Sequence, residues 1–361
     1  MIPLVLPAMS DAEAPFVTRL RSGEGPVDGV WDSLMVDEDD GGVTYAGAGG
    51  ILAIDGATAE ALDGDVVLVQ PRTGRVERIL RAGSPHNTLL VTERCDQLCV
   101  MCSQPPKKTH VDRFAYLEDA CLLAEPGLHI GISGGEPTLY KDQLLSMVER
   151  VLRQRPDLSF HILSNGQHFT EDDVPRLRDP LYRKVSWGVP LYAASAPLHD
   201  EIVGKEGAFD ALQDGLATLL MAGARVELRT VLVSSNLAAL PELSRFVASR
   251  LRFVEVWSIM QLEHIGFAKG RWRTLFVDHR DQFQMVAGAI DWATMHGVRA
   301  QLFNFPRCTV PPAYRGVAIA SISDWKRKYP TACTGCAEQA NCSGFFEWHP
   351  DEEAGAMVEP L

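Results

Sequence analysis

The sequence predicts an α/β fold, in which a partial (β/α)6 TIM-like barrel is joined to a small N-terminal β-rich unit and a Cys-rich C-terminal cluster module. Three observations predict it: short alternating apolar runs in residues 1–85, alternating strand and helix patterns in residues 86–300, and a segment rich in Pro, Gly and Cys in residues 301–361. A chain of 361 residues is long enough for one barrel-sized domain and smaller appendages.

The N-terminal unit is predicted from apolar runs at residues 50–54 and 65–70, the second of which is followed by a turn at 71–74 and a strand at 75–80. Two strands joined by a short turn predict a hairpin. The acidic, glycine-rich stretch 37–42 predicts a loop. Two roles stay open for this unit: a cover for the barrel, or a surface that binds a peptide by strand addition.

The middle region is predicted from six βα units in succession. Its strands are expected at 88–92, 129–133, 159–164, 184–189, 226–233 and 253–260. Its helices are expected at 113–124, 141–153, 171–177, 209–222, 240–251 and 278–297, with a further strand at 299–303. This alternation predicts a parallel sheet whose functional site lies at the carboxyl ends of the strands. An open doubly wound sheet is the structural alternative.

Composition narrows the class of protein. Charged residues make up 22% of the chain and the net charge is -13, so no broad basic field for nucleic acid is expected. No apolar run approaches the roughly 18 residues that span a bilayer, and the N-terminus lacks the basic start and apolar core of a signal peptide. Six of the eight cysteines lie in two groups, which is typical of metal or iron–sulfur ligands in a reducing compartment. We therefore expect a cytoplasmic protein that binds neither membrane nor nucleic acid.

The first group of cysteines, Cys95, Cys99 and Cys102, directly follows the first predicted strand of the barrel. The strand end places these thiols at the mouth of a barrel, where catalysis occurs. Three thiolates can bind three irons of a cubane cluster and leave the fourth iron open to a substrate or cofactor. The alternative is a structural zinc site, but zinc normally takes four protein ligands and the nearest further candidate, His110, is eight residues away.

The second predicted strand runs into Gly134, Gly135, Glu136 and Pro137. Two glycines at a strand end allow a ligand to approach the backbone, and a neighbouring carboxylate can accept a hydrogen bond from an ammonium group. A tight βα turn with Pro137 at a helix start is the alternative.

Together, the Cys-x3-Cys-x2-Cys spacing and the Gly-Gly-Glu-Pro motif resemble the signature of the radical S-adenosylmethionine (SAM) enzymes, and the resemblance spans roughly residues 88–268. It implies a [4Fe–4S] cluster on the three cysteines, SAM bound at the open iron, and the amino group of its methionine moiety held by the Gly-Gly-Glu-Pro motif. The residue before the third cysteine is usually aromatic in this family and contacts the adenine. Here it is Met101, whose polarizable thioether can also pack on a ring.

The same resemblance assigns further positions. Ser164 and Asn165 end the third strand, where these enzymes place polar groups near the ribose. Arg229 on the fifth strand could pair with the SAM carboxylate as a bidentate fork, or form an ordinary salt bridge at the barrel mouth. Residues 260–263, with Gly266 and Ala268, follow the sixth strand and are expected to line the adenine.

The second group of cysteines consists of Cys333, Cys336 and Cys342, with Cys308 as the fourth candidate, separated from Cys333 by 24 residues. Four thiolates can close a [4Fe–4S] site completely, whereas zinc bound by the same thiolates is the alternative. The spacing resembles, in shortened form, part of the auxiliary-cluster domains of peptide-modifying radical SAM enzymes. Cys121, on a predicted helix, is expected to be a buried apolar residue.

The segments 87–107, 323–329 and 342–346 are similar to the His-Xaa-Ser system radical SAM maturases. This resemblance implies a ribosomally made precursor peptide as substrate, a second radical SAM maturase as partner, and an external electron donor such as flavodoxin or ferredoxin. Two alternatives remain open, namely a radical SAM enzyme that acts on a small molecule and a non-catalytic iron–sulfur or zinc protein that delivers a peptide.

Overall fold

The computed structural model of the protein describes residues 3–23 and 31–361. The predicted N-terminal unit also includes residues 1–2 and 24–30, which lie outside the described residues. Within the described residues the strands are β1 (Val5–Ser10), β2 (Phe16–Arg21), β3 (Asp32–Glu38), β4 (Gly42–Gly47), β5 (Gly50–Asp55), β6 (Val66–Gln70), β7 (Arg75–Leu80), β8 (Asn87–Thr92), β9 (His129–Gly134), β10 (Ser159–Leu163), β11 (Val185–Pro190), β12 (Arg225–Val231), β13 (Val256–Met260), β14 (Ala300–Phe303), β15 (Arg327–Lys328) and β16 (Phe345–Phe346).

The α-helices are, in the same residues, α1 (Ala59–Leu62), α2 (Phe114–Leu122), α3 (Lys141–Gln154), α4 (Val174–Leu177), α5 (Ala196–Val203), α6 (Ala208–Ala222), α7 (Ser234–Leu237), α8 (Leu240–Arg250), α9 (Gly266–Leu275), α10 (Phe283–Met295) and α11 (Asp351–Met357). Short 3-10 turns connect several of them. None of these helices is both long enough and apolar enough to cross a bilayer.

The first seven strands close into a β-barrel in the order β1-β5-β4-β3-β2-β6-β7, and β1 pairs antiparallel with β7 to complete it. Alternate residues such as Leu6 and Ala8, or Leu52 and Ile54, are buried in its core. The predicted hairpin is confirmed as β6 and β7, with Gln70 opposite Arg75 and Gly74 in the left-handed conformation at the turn. Closure removes the exposed sheet edges that an open β unit would leave.

The βα strands form one seven-stranded sheet in the order β14-β13-β12-β11-β10-β9-β8, which follows the chain without reversal. A doubly wound sheet reverses its strand order at a switch point, so the sequential order favours the partial barrel. All six predicted strands are present, and β14 confirms the further strand expected at 299–303. From β11 to β14 the neighbouring strands are parallel.

By its internal contacts the chain divides into two compact units. The first comprises Met1–Val91, Val111–Ser133 and Tyr140–His161, and the second comprises Thr92–His110, Gly134–Leu139 and Ile162–Leu361. The division at residues 85 and 300 that the sequence suggests stays a prediction. The residues of both cysteine groups and the turn after β9 all belong to the second unit, so each site can be described within it.

Candidate active site

The segment that carries the first three cysteines, residues 93–104, is here named the cluster loop. It begins directly after β8, and backbone hydrogen bonds fix it at several points. Leu98 N donates to Val203 O at 3.0 Å, at the end of α5, and Phe267 N at the start of α9 donates to Cys102 O at 2.9 Å. Helices α5 and α9 therefore each hold the cluster loop in place through a backbone hydrogen bond.

The three thiols of the cluster loop are electrostatically coupled. Burial, together with the charges of Cys102 and Cys95, raises the pKa of Cys99 to about 12. Burial likewise raises the pKa of Cys95 to about 11. Thiolates that raise one another's pKa need a positive group to stay ionised together, as a metal-bound thiol does.

A cubane cluster fits this donor set. Among the described residues, no three His, Cys, Asp or Glu side chains are arranged to hold a single metal ion. A cubane meets each thiolate at a different iron, so its ligands lie further apart than those of one tetrahedral zinc. The cluster loop supplies three of the four ligands that a structural zinc normally takes, so its donor set fits a cluster with one open iron.

The carboxylate of Glu136 lies at the centre of a buried network beneath the strand ends. Only 1% of Glu136 is exposed. Its Oε1 accepts from Thr138 N at 2.8 Å, Thr138 Oγ1 at 2.5 Å and Ser164 Oγ at 2.9 Å, while Oε2 accepts from Asn165 N at 2.5 Å. Burial raises the pKa of Glu136, and these donors oppose the rise. The carboxylate that the sequence suggests for an ammonium ligand is thus used by the protein, where it joins the turn after β9 to the turn after β10.

The two glycines of the motif permit close packing of backbone on backbone. A Cβ at Gly134 would lie 2.5 Å from Thr92 O, and one at Gly135 would lie 2.1 Å from Arg94 O. Gly135 N donates to Thr92 O at 2.8 Å, and Glu136 N donates to Arg94 O at 2.7 Å. The segment that approaches the glycines is therefore the start of the cluster loop. Pro137 begins a 3-10 turn, Pro137–Tyr140, as the tight-turn alternative expects.

Asp96 forms a second network that sequence reasoning missed. Its Oδ1 accepts from Asn165 Nδ2 at 2.9 Å, and its Oδ2 accepts from Lys205 Nζ at 2.5 Å and lies 3.3 Å from His168 Nε2. Burial alone would raise the pKa of Asp96, but the hydrogen bonds and charges of His168 and Lys205 hold that pKa below its usual range. Asn165 contacts both Glu136 and Asp96, so it links the cluster loop to the turn after β9. The only sequence signal was the position of Asp96 between two cluster cysteines.

Met101 is buried, with 7% exposure, in an apolar cluster that also contains Tyr192, Ile202 and Trp272. Contacts within the protein therefore occupy much of the Met101 side chain, which the resemblance to radical SAM enzymes predicts to contact the adenine. Gly266 has a left-handed φ of 58°, and a Cβ there would lie 2.2 Å from Cys102 O. Of the residues expected to line the adenine, this glycine thus serves the packing of α9 on the cluster loop.

Arg229 forms the salt bridge that the sequence left open as an alternative. Its Nη1 lies 3.1 Å from Glu227 Oε1, and its guanidinium lies 5.6 Å from the centre of the Phe303 ring. Glu227 in turn accepts from Ser258 Oγ at 2.5 Å. The pair holds Arg229 in place on β12, between its neighbours β11 and β13.

The second group of cysteines meets in one pocket. Cys308, Cys333, Cys336 and Cys342 all line it, although Cys308 is distant from the others in sequence. Burial, together with the charges of the other three thiols, raises the pKa of Cys333 to about 11. The fold thus brings together all four cysteines that the sequence predicts as metal ligands. Cys121, by contrast, is fully buried in α2 as the sequence predicts.

Backbone amides point at the sulfurs of this pocket. Arg307 N and Gly344 N donate to Cys342 Sγ at 3.3 and 3.4 Å, and Leu361 N donates to Cys336 Sγ at 3.5 Å. Such N–H donors stabilise thiolates and are typical of the surroundings of metal-bound cysteine. These donors support a thiolate site on the four cysteines, and they do not distinguish a closed cluster from zinc.

The sequence was compared with known proteins. Among curated proteins nothing matches it. Among solved structures it is similar to Streptococcus suis SuiB bound to S-adenosylmethionine (TM-score 0.49, 16% identity, 62% of this chain and 51% of that one). It is also similar to anSMEcpe with bound AdoMet (TM-score 0.49, 14% identity, 60% and 62%) and to a radical SAM methyltransferase from Sphaerobacter thermophilus (TM-score 0.44, 15% identity, 78% and 79%). The chain spans about half the length of SuiB.

The profile of the Radical SAM superfamily matches residues 89–247. This segment runs from β8 through the cluster loop and the Glu136 network to α8. Residues 89–247 therefore belong to the Radical SAM superfamily, and the chain carries the domain of a radical SAM enzyme.

Proposed function

We propose that the protein cleaves SAM reductively and uses the resulting 5′-deoxyadenosyl radical to abstract hydrogen from a ribosomally made precursor peptide. The observation that carries the SAM chemistry is the continuous link from Asp96 in the cluster loop, through Asn165, to Glu136. This link fixes three coupled thiols beside the strand ends where radical SAM enzymes bind their cofactor. Rigid support of this kind is what a reacting centre requires, because small displacements reduce rates steeply.

When bound, the [4Fe–4S] cluster with SAM supplies the one-electron reduction and the radical. Cys95, Cys99 and Cys102 are the residues proposed to bind that cluster. The chain's own contribution is position: Asp96 and the α5 and α9 contacts orient the cluster loop, while the buried Glu136 fixes the neighbouring turns. Closely packed apolar residues around Met101 would keep water from one side of the site.

For SAM itself, the proposed contacts are the backbone of residues 134–137 for the methionine amino group, Ser164 and Asn165 for the ribose, and Met101 for the adenine. Arg229 is proposed to pair with the SAM carboxylate through the guanidinium N–H groups that do not contact Glu227. Because Glu136 already accepts four hydrogen bonds, we assign it to the positioning of Ser164 and Asn165.

The peptide substrate is proposed on the similarity to His-Xaa-Ser maturases. That similarity also proposes a second radical SAM maturase as partner, an external flavodoxin or ferredoxin as electron donor, and the cytoplasm as location. The four-cysteine pocket is proposed to hold an auxiliary [4Fe–4S] cluster, with zinc as the alternative. Its amide donors to sulfur support a thiolate site of either kind.

The test of the catalytic proposal is anaerobic reconstitution with iron and sulfide, followed by dithionite and SAM. We expect calorimetry to show SAM binding and chromatography to show 5′-deoxyadenosine. Addition of a precursor peptide with His-Xaa-Ser repeats should give a modified peptide of changed mass. Absence of SAM binding would favour the non-catalytic delivery protein, whereas SAM cleavage without any peptide change would favour a small-molecule substrate.

The auxiliary site makes a separate prediction. In Cys342→Ala we expect loss of one metal site per chain, because this sulfur is a proposed ligand that also receives two backbone donors. Elemental analysis and electron paramagnetic resonance of the reduced protein read the result: loss of about four irons for a cluster, or of one zinc for the zinc alternative. Cys121→Ala is the matched control and should keep the full metal content. An unchanged metal content in Cys342→Ala would remove the auxiliary site.

A further inference from the structure

The exposed side of α9 is strongly basic. Its ten residues include Lys269, Arg271 and Arg273 and no acidic residue. These three side chains are exposed and line a surface pocket of about 570 Å³ together with His264, Trp272 and Glu353. Glu353 accepts a hydrogen bond from Trp272 Nε1 at 2.8 Å. The lining of this pocket therefore carries three Lys and Arg cations against one carboxylate, Glu353, which lies in the acidic first turn of α11, in a chain of net charge -13.

This basic surface, here named the α9 surface, adjoins the cluster loop. Arg271 Nη1 donates to Val100 O at 3.1 Å, and Phe267 N donates to Cys102 O at 2.9 Å. Trp272 lines the pocket on one side and on the other belongs to the apolar cluster against which Cys99 packs. One apolar cluster, to which Trp272 belongs, therefore adjoins both the α9 surface and a predicted cluster ligand.

The cluster loop also presents an apolar side chain to solvent. Leu98, the residue before Cys99, is 59% exposed. Leu98 lies at the end of α5, where its N donates to Val203 O, so it is an exposed apolar contact of the cluster loop and not part of the α9 surface.

We propose that the α9 surface docks an acidic one-electron donor protein and that the electron enters the cluster through this side of the cluster loop. The proposal rests on the proposed function, since reductive SAM cleavage consumes one electron per turnover. In the step itself the donor is oxidised by one electron, the cluster is reduced by one electron, and no proton or group is transferred. The acidic remainder of the chain repels an acidic donor, so the basic surface would orient it toward the cluster loop.

The experiment follows reduction of the anaerobically reconstituted protein by fully reduced flavodoxin in a stopped-flow absorbance assay. In Lys269→Glu/Arg273→Glu we expect the second-order rate constant to fall about tenfold or more, and its dependence on salt to flatten. A milder fall is expected in Lys269→Gln/Arg273→Gln. Reduction by dithionite, a small ion, should proceed to the same extent in all variants, which shows that the cluster is intact.

A matched control is Arg250→Glu/Arg252→Glu, which makes the same charge change at exposed positions between α8 and the start of β13. These positions lie at the end of the sheet opposite the carboxyl ends of the strands. The rate at which flavodoxin reduces this variant should stay within about twofold of the wild-type rate. Equal rates in the two double variants would overturn the proposal. So would an unchanged rate in Lys269→Glu/Arg273→Glu accompanied by weaker binding of substrate peptide or nucleic acid, which would assign the surface to that occupant. Failure of the wild type to make 5′-deoxyadenosine with dithionite would refute the proposed function, but the reduction rates would still report on docking.

Discussion

Replacement of Cys99 with Ala should reduce the formation of 5′-deoxyadenosine by more than about a hundredfold. Loss of a group that only supports a metal ligand typically costs about 10–100-fold in affinity or activity, and loss of a ligand itself should cost more. The charges of both Cys102 and Cys95 raise the pKa of Cys99, so its thiol is electrostatically coupled to the other two. The measurement is chromatographic quantification after anaerobic reconstitution with dithionite and SAM.

The matched control for this variant is Cys121→Ala, which removes a fully buried thiol on α2 that belongs to neither cysteine group. It should retain iron and activity and lose only about 1 kcal/mol of stability through a small cavity. If Cys99→Ala forms 5′-deoxyadenosine at the wild-type rate, the cluster loop is not the catalytic centre.

Replacement of Glu136 with Ala should lower the free energy of unfolding by about 3–5 kcal/mol, because it leaves buried donors without the carboxylate that they share. Those donors are Thr138 N, Thr138 Oγ1, Ser164 Oγ and Asn165 N. Urea denaturation of the metal-free protein measures the loss. The matched control is Glu242→Ala, at an exposed position in the first turn of α8, which should change stability by less than about 0.5 kcal/mol.

The conservative variant Glu136→Gln separates the two roles considered for this residue. If Glu136 positions its neighbours, Gln should lower stability, because its amide NH2 faces groups that are themselves donors. If instead the carboxylate binds the SAM ammonium directly, Gln should weaken SAM binding by calorimetry while leaving the unfolding curve of the metal-free protein unchanged. The second result would contradict the buried network as the main role of Glu136.

The strands of the sheet were predictable because buried parallel strands are continuous apolar runs, and each of the six lies within three residues of its expected start. Helices α5 and α9 were not predicted. The sequence of α9 contains two glycines and an irregular apolar pattern, both of which weaken a helix signal. Contacts of Gly266, Phe267 and Arg271 with the cluster loop stabilise the helix in its place.

The closure of the N-terminal barrel could not be predicted from the sequence either. Alternating apolar residues indicated strands and one hairpin, but closure depends on the pairing of β1 with β7, whose residues lie about 70 positions apart in the chain. Register between such distant strands is decided by which faces can be buried together, and short apolar runs do not encode that choice individually.

By itself, the sequence determined the spacing of Cys95, Cys99 and Cys102 and the glycine motif after the next strand, from which the radical SAM chemistry is predicted, because ligand types and local spacing are properties of the chain. Tertiary structure decided how those residues are used. It buried Glu136 among protein donors, used Gly134 and Gly135 to pack two backbones together, and connected Asp96 to Lys205 across more than a hundred residues. The physical reason is that burial and hydrogen-bond partners are set by what folding places alongside a residue, and those neighbours are distant in sequence.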